Sequence, residues 1–357
     1  MRILFAGGGT GGHLVPGISV AEVALARKDT ILFLTAGRPV EEKILGELPK
    51  APLPLEFGGG APGMITIAAR LPRAVAAARK YIQQFKPDVF VGLGGLASFP
   101  AAVAAKICNV PVALLEINAV PGRATRWLRP FANKIFVSSE IAAREIGKKA
   151  VLTGTPLRAG FSKLTDPAGA RLSFGLDPAA FTILILGGSQ GALAVNRAIQ
   201  GILSDLAKSN IQILWITGPG KEGELEQLCL STPGLRAAVI PYINDTPRAY
   251  AAADLAICRT GAATVAELGA LGLPSIGIPY PHHRDRQQYR NAELLGGGII
   301  VIDERELTSE KLASTIDTLF RDRGRLSAMA AIAKERGRRD GAEAVLRELL
   351  NLAKLHH

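Results

Sequence analysis

RILFAGGGTGGH at residues 2–13 and FTILILGGSQGA at residues 181–192 decide how this chain folds. Each begins as a short β-rich run, passes without a polar break into a glycine-rich turn, and continues as a helical pattern. Working outward from the first, strands are expected near 30–35, 53–57, 88–93, 111–115 and 134–137, with helices between them, the first over 15–27. Working outward from the second, the chain predicts strands near 181–186, 211–216, 237–240, 254–258, 275–278 and 299–302. Strand–helix alternation of this kind specifies a parallel sheet with crossover helices. The expected fold class is therefore α/β, two Rossmann-like doubly wound domains over 1–157 and 158–337, facing each other across a cleft. A C-terminal helix within 338–357 is expected to pack back on the first domain. Ligands belong outside the carboxyl ends of the strands.

Composition agrees with two cored domains. The chain has 357 residues, 48% of them hydrophobic and 20% charged, which is too apolar for disorder. Cys108, Cys229 and Cys258 include no CxxC pair, so neither a disulfide framework nor a Cys-rich zinc site is expected. Glycines and a proline break the long uncharged runs at 89–105 and 178–196, which argues against membrane-spanning helices. Only Ile3 to Ala6 are apolar before the first glycines, too short for a signal peptide's core, so the chain is expected to stay in the cytoplasm. The formal net charge is +11, and residues 1–157 hold 19 basic against 10 acidic side chains. A basic first half suits a phosphorylated substrate or an anionic membrane. Aromatic content of 5% and the absence of a base-reading motif exclude nucleic acid as the expected partner.

The turns carry the chemistry. GGGTGGH at 7–13 lets backbone approach a ligand while the next helix offers its N–H groups, which suits an anion or a sugar. It lacks the acidic residue that a nicotinamide-binding fold places after the second strand, because 30–35 runs into Thr35 and Ala36. GGSQGA at 187–192 is either a second phosphate site, with Ser189, or a tight turn without a ligand. After the strand 254–258 come Arg259, Thr260 and Gly261. The helix start that follows, Ala262, Ala263, Thr264, Val265, Ala266 and Glu267, can hold a diphosphate on its N–H groups. Glu267 either accepts two hydrogen bonds from a ribose or simply favours the helix dipole. HHRDRQQ at 282–288 brings Gln287 and Gln288, suited to neutral hydroxyls. His282 and His283 are adjacent without a further partner and are not expected to bind metal.

GGGTGGH at 7–13 with Pro16-Gly17, GLGGLASFP at 92–100, GGSQGA at 187–192 and RTGAATVAELGALGLPSIGIPYPHHRDRQQYRNA at 259–292 together resemble the MurG family. The motifs run in order over nearly the whole chain. The resemblance implies a GT-B fold and inverting transfer of N-acetylglucosamine from UDP-N-acetylglucosamine, with no required metal or other cofactor. The implied acceptor is lipid I, undecaprenyl-pyrophosphoryl-MurNAc-pentapeptide, and the implied place is the cytoplasmic side of the inner membrane, held peripherally. It puts Thr10, Gly11 and Gly12 near the donor sugar and diphosphate, Ser189 on the phosphates, Arg158 near the nucleotide and Ile243 on uracil through its backbone. It gives Glu267 the ribose, Gln288 the sugar, and Asn118 the acceptor or the N-acetylglucosamine. Two departures stand out: Leu115-Glu116-Ile117-Asn118 replaces the family's usual His-Glu-Gln-Asn, and Gly154-Thr155-Pro156 replaces Gly-Asn-Pro.

Glycosyl transfer needs a base for the attacking hydroxyl and stabilisation of the departing diphosphate. His13 and Glu116 are the two candidate bases, with positioning of the diphosphate as the other reading of His13. No DxD occurs, so helix N-termini, Ser189 and Arg259 are the candidates to offset the diphosphate charge. Residues 57–87 contain no acid, yet hold Arg70, Arg73, Arg79, Lys80 and Lys86 among Met64, Ile65, Ile67, Leu71, Val75 and Ile82. Residues 117–139 likewise set Arg123, Arg126, Arg129 and Lys134 around Trp127, Leu128 and Phe131. These stretches read either as a contact with an anionic membrane or as ordinary helix faces over a core stripe. The competing functions are a nicotinamide oxidoreductase, another GT-B lipid glycosyltransferase of the diacylglycerol type, a sugar-nucleotide epimerase, and a catalytically dead sugar-nucleotide or lipid binder.

Overall fold

Strands buried on both faces need apolar residues at every position, and the runs in this chain supply them: Ile3, Leu4, Phe5 and Ala6 are all fully buried. The computed structural model describes all residues except 9, 10, 47, 50, 56, 58–63, 163–165, 188–191, 219, 244, 283, 284 and 357, and describes only the backbone of 11, 39, 40, 43, 64–68 and 162. Two compact units result, one of Met1–Ala159 with Arg339–His357, the other of Gly160–Arg338.

In the first unit β1 (Arg2–Ala6), β2 (Thr30–Thr35), β3 (Leu53–Pro54), β4 (Val89–Gly92), β5 (Val112–Glu116), β6 (Lys134–Val137) and β7 (Ala150–Leu152) form a parallel sheet in the order β3-β2-β1-β4-β5-β6-β7. In the second, β8 (Thr182–Leu186), β9 (Gln212–Ile216), β10 (Ala237–Ile240), β11 (Leu255–Cys258), β12 (Ser275–Gly277) and β13 (Ile299–Val301) take the order β10-β9-β8-β11-β12-β13, again parallel. Each order reverses beside its first strand. The crevice for a ligand therefore opens between the ends of β1 and β4 in one unit and of β8 and β11 in the other. Register makes those ends level: Ala6 pairs with Gly92, and Leu186 with Cys258.

One face of the first sheet packs Leu4, Phe90 and Leu114 against Ala74, Ala78 and Ile82 of the helix Met64–Phe85. On β1 and β2, Phe5 stacks on Phe33 with ring centroids 4.8 Å apart. The helix Gly341–Lys354 packs on the helix Gly11–Ala26, and Glu348 pairs with Lys134 at 2.6 Å. In the second unit, buried Trp215 satisfies its indole N–H on Asn196 Oδ1 at 3.2 Å. Arg171, also buried, donates to the carbonyls of Ala252 and Pro178 and to Asp254, which accepts the Thr182 N–H as well. This guanidinium ties the helix Pro167–Ser173 to the entries of β8 and β11.

Three boundaries differ from the sequence expectation. The first helix starts at Gly11, not near 15, although Pro16 lies inside it. Proline lacks the N–H that the Gly12 carbonyl would accept, and exposed Gly12 can give that carbonyl to water. Among the described residues β3 pairs over Leu53–Pro54, at the edge of the sheet. β7 was not expected; three residues are too few to show a period.

Candidate functional site

His13, Glu116 and the Arg259–Gly261 turn sit at carboxyl ends of strands, so each unit can be built from its turns. In the first unit, the turns after β1 and β4 press together. Gly95 has φ +74°, and a Cβ there would lie 2.2 Å from the Gly8 carbonyl oxygen, so only glycine fits. Ser98 braces the pair, its hydroxyl 2.7 Å from the carbonyl oxygens of both Ala6 and Gly94. His13, in the first turn of the helix Gly11–Ala26, lays its ring against Gly94 (φ +92°), where a Cβ would come within 3.3 Å of its Cδ2. Its Nδ1 is buried and has no hydrogen-bond partner among the described residues. Burial lowers the His13 pKa from its ordinary value, against a smaller opposing pull from the Glu116 charge. The imidazole is thus held neutral, the form that accepts a proton.

Glu116 ends β5 and is buried. Its Oε1 accepts from the Asn118 N–H at 3.0 Å and the Asn118 side-chain amide at 2.9 Å. Oε2 accepts from the Gly122 N–H at 2.8 Å and the Thr125 hydroxyl at 2.6 Å. A carboxylate has about four acceptor positions, and all are used. Glu116 thereby holds the 117–125 loop in shape, work that competes with a part as base.

In the second unit, β11 runs into Arg259, Thr260 and Gly261, and the helix Ala262–Leu271 begins with no side-chain cap and no acid in its first turn. Such an end is ready to receive an anion. Thr260 is fully buried, donates to the Gln288 carbonyl at 2.8 Å, and accepts through its own carbonyl from Asn291. The helix Gln287–Glu293 is thereby fastened to the β11 turn. Gln288 Oε1 accepts from the Tyr280 N–H at 2.9 Å, which leaves its amide hydrogens as the donors it offers. Glu267 Oε2 accepts from the Tyr250 hydroxyl at 2.6 Å.

Arg259 is already committed, contrary to its expected part in offsetting diphosphate charge. It donates to the carbonyls of Ile278 and Pro279, pairs with Glu304 and lies over the Tyr280 ring. Its work is to hold the exit of β12 to the turn at Glu304–Glu306.

Residues 3–137 match the N-terminal domain of glycosyltransferase family 28, and residues 182–345 match its C-terminal domain. The chain is 39% identical, over 98% of both sequences, to a Geobacter sulfurreducens protein named UDP-N-acetylglucosamine–N-acetylmuramyl-(pentapeptide) pyrophosphoryl-undecaprenol N-acetylglucosamine transferase. The chain belongs to glycosyltransferase family 28, in its MurG branch. A relative of the same name in Acidothermus cellulolyticus is 37% identical over 96% of this chain and 95% of that one. Among solved structures, MurG of Acinetobacter baumannii superposes with a TM-score of 0.78 at 25% identity, covering 98% of this chain and all of that one. A UDP-GlcNAc 2-epimerase from Neisseria meningitidis reaches 0.71 at 16% identity over 98% of this chain and 100% of its own, a likeness of fold alone. Both the GT-B fold and the glycosyltransferase class follow from the MurG relatives, and the epimerase alternative is not favoured.

The MurG-type departures are both buried: Leu115, Ile117 and Thr155 are each less than a tenth exposed. The apolar pair therefore fills interior positions beside Glu116, whose bonds stay complete. Thr10 and Ser189 lie outside the described residues, and of Gly11 only its place in the helix is described. Gly12 is exposed; Asn118, Arg158, Ile243, Ala263, Thr264, Ala266 and Gln287 are half-buried; Ala262 and Val265 are buried. Tyr250 was missed from sequence. It lies 17 residues before Glu267, on another helix, and no motif links the two.

Leu128 is corrected as a membrane contact: it is 1% exposed and part of the core, whereas neighbouring Trp127 is 60% exposed. Ile82 is likewise in the core, and Leu71 and Val75 pack against it. Arg70, Arg73, Arg79 and Lys80 remain exposed on the other face of their helix. No helix among the described residues is long and apolar enough to cross a membrane. Among the same residues, no group of three His, Cys, Asp or Glu is placed to hold a metal ion.

Proposed function

We propose that this chain transfers N-acetylglucosamine from UDP-N-acetylglucosamine to the C4 hydroxyl of the MurNAc of lipid I, with inversion at the anomeric carbon, giving lipid II for peptidoglycan. Its strongest support is identity of 39% over nearly the full length of a transferase so named. The second unit takes the donor. Glu267 accepts hydrogen bonds from the ribose hydroxyls, Ile243 meets uracil through its backbone, and Gln288 donates to the sugar. The uncapped N–H groups at Ala262, Ala263 and Thr264 face the diphosphate as its charge grows. His13, in the first unit, takes the proton of the attacking hydroxyl as the new C–O bond forms and the bond to UDP breaks. Neutral imidazole at working pH is what that role requires. Incubating the protein with labelled UDP-sugars and a short-chain lipid I analogue, and identifying the sugar transferred, tests the assignment. Transfer of another sugar, or none, overturns it.

The acceptor's lipid places the reaction at a membrane, and the exposed basic face of the helix Met64–Phe85, together with Trp127 and the exposed Arg123 and Arg129, suits the anionic cytoplasmic leaflet. Arg126 contributes less, because Glu145 already neutralises it at 3.0 Å. Each basic residue near such a surface is worth about 1 kcal/mol. Replacing Arg70, Arg73, Arg79 and Lys80 by Gln is expected to weaken binding to anionic vesicles by up to about 1,000-fold at low salt, while turnover of a water-soluble acceptor analogue stays near that of the parent. Undiminished vesicle binding in a flotation assay would move the contact elsewhere.

A further inference from the structure

Tyr250 belongs to the helix Thr246–Ala251, which Asp245 caps by accepting the Arg248 N–H. Its side chain is 3% exposed, and its ring meets Phe161 edge-on with centroids 5.5 Å apart. A phenol in so apolar a place costs free energy unless its hydroxyl is paired. The partner it has is Glu267, at 2.6 Å. Thr264, one turn earlier on the helix of Glu267, is within hydrogen-bonding reach of the same hydroxyl. Burial and the adjacent Glu267 charge push the phenol's pKa well above 10, so it stays a donor throughout the working range.

A glutamate in mid-helix has three rotatable bonds, and a ligand that must freeze them loses affinity. Here the phenol has frozen them already. We propose that Tyr250 is a positioning residue for the nucleotide: its hydroxyl fixes the Glu267 carboxylate in the orientation that meets the vicinal 2′- and 3′-hydroxyls of the donor's ribose. The inference rests on the reading of Glu267 as the ribose acceptor.

The test compares UDP with 2′,3′-dideoxy-UDP by calorimetry, on the parent protein, Tyr250→Phe and Glu267→Ala. Phenylalanine keeps the ring and its contact with Phe161 and removes only the hydroxyl. Tyr250→Phe is expected to weaken UDP by about three- to tenfold, the worth of one side chain left to be ordered on binding, and to leave dideoxy-UDP unchanged. In turnover, the loss falls on donor KM with kcat nearly constant. Equal weakening of both nucleotides means a merely structural tyrosine and overturns the proposal, as does no weakening of either. Glu267→Ala reads the layer beneath: it is expected to bring UDP down to the affinity of dideoxy-UDP. If UDP keeps its advantage in that variant, Glu267 does not hold the ribose, and the Tyr250 proposal falls with it whatever Tyr250→Phe does.

Discussion

His13→Ala is expected to lower kcat by about 100-fold or more, the lower end of what a general base contributes, with donor KM little changed. The imidazole lies on Gly94 with Nδ1 buried and without a partner among the described residues, so the protonated ring would have an unsatisfied charge on that side. Its pKa is lowered for this reason, chiefly by burial. The sign follows directly. The base works when neutral, activity is lost as pH falls through the depressed value, and the acidic limb of kcat lies below the ordinary histidine range. In His13→Ala that limb should vanish. Glu116→Gln is the control: an amide cannot accept on both sides, so two of the four bonds to Asn118, Gly122 and Thr125 are lost and stability drops, yet the limb should persist. A limb that survives in His13→Ala and disappears in Glu116→Gln would make Glu116 the base after all.

Glu267→Ala carries the second large effect, a rise in donor KM of about 10- to 100-fold, because hydrogen bonds to a charged group are worth roughly 1.5–3 kcal/mol. The same change takes the charged acceptor from the buried Tyr250 hydroxyl and leaves it only Thr264, which lowers stability as well. Combining Glu267→Ala with Tyr250→Phe removes that weakened donor, so the thermal midpoint should recover in part while donor KM stays high. Glu267→Gln keeps an acceptor oxygen and should be milder in both measurements. A donor KM unchanged in Glu267→Ala would remove this residue from the nucleotide site.

Buried parallel strands are the most legible elements in this sequence, since runs such as Ile3–Ala6 and Leu255–Cys258 must be apolar throughout. The switch points followed from them, and with them the turns holding His13 and Gly261. What escaped was pairing across the chain. Glu116 sits visibly at the end of a strand, but its four donors come from a loop whose course no periodicity encodes. Arg259 looks like a phosphate ligand in its turn; only the fold brings Glu304 and the carbonyls of Ile278 and Pro279 to it. The helix Met64–Phe85 stayed ambiguous for a different reason: basic and apolar residues interleave identically whether the apolar stripe meets lipid or, as with Ala74, Ala78 and Ile82, the protein's own core.

The two units also differ in how they are threaded. Gly160–Arg338 is one continuous stretch, whereas the other unit begins at Met1 and is completed only by Arg339–His357. During synthesis the second unit is therefore finished while the first still lacks the helix Gly341–Lys354, which covers the helix carrying His13. The flank of that helix, and Lys134 without Glu348, wait exposed until the last turn arrives. A stop near residue 340 thus leaves Gly160–Arg338 whole and strips the unit translated first of a helix that packs on it.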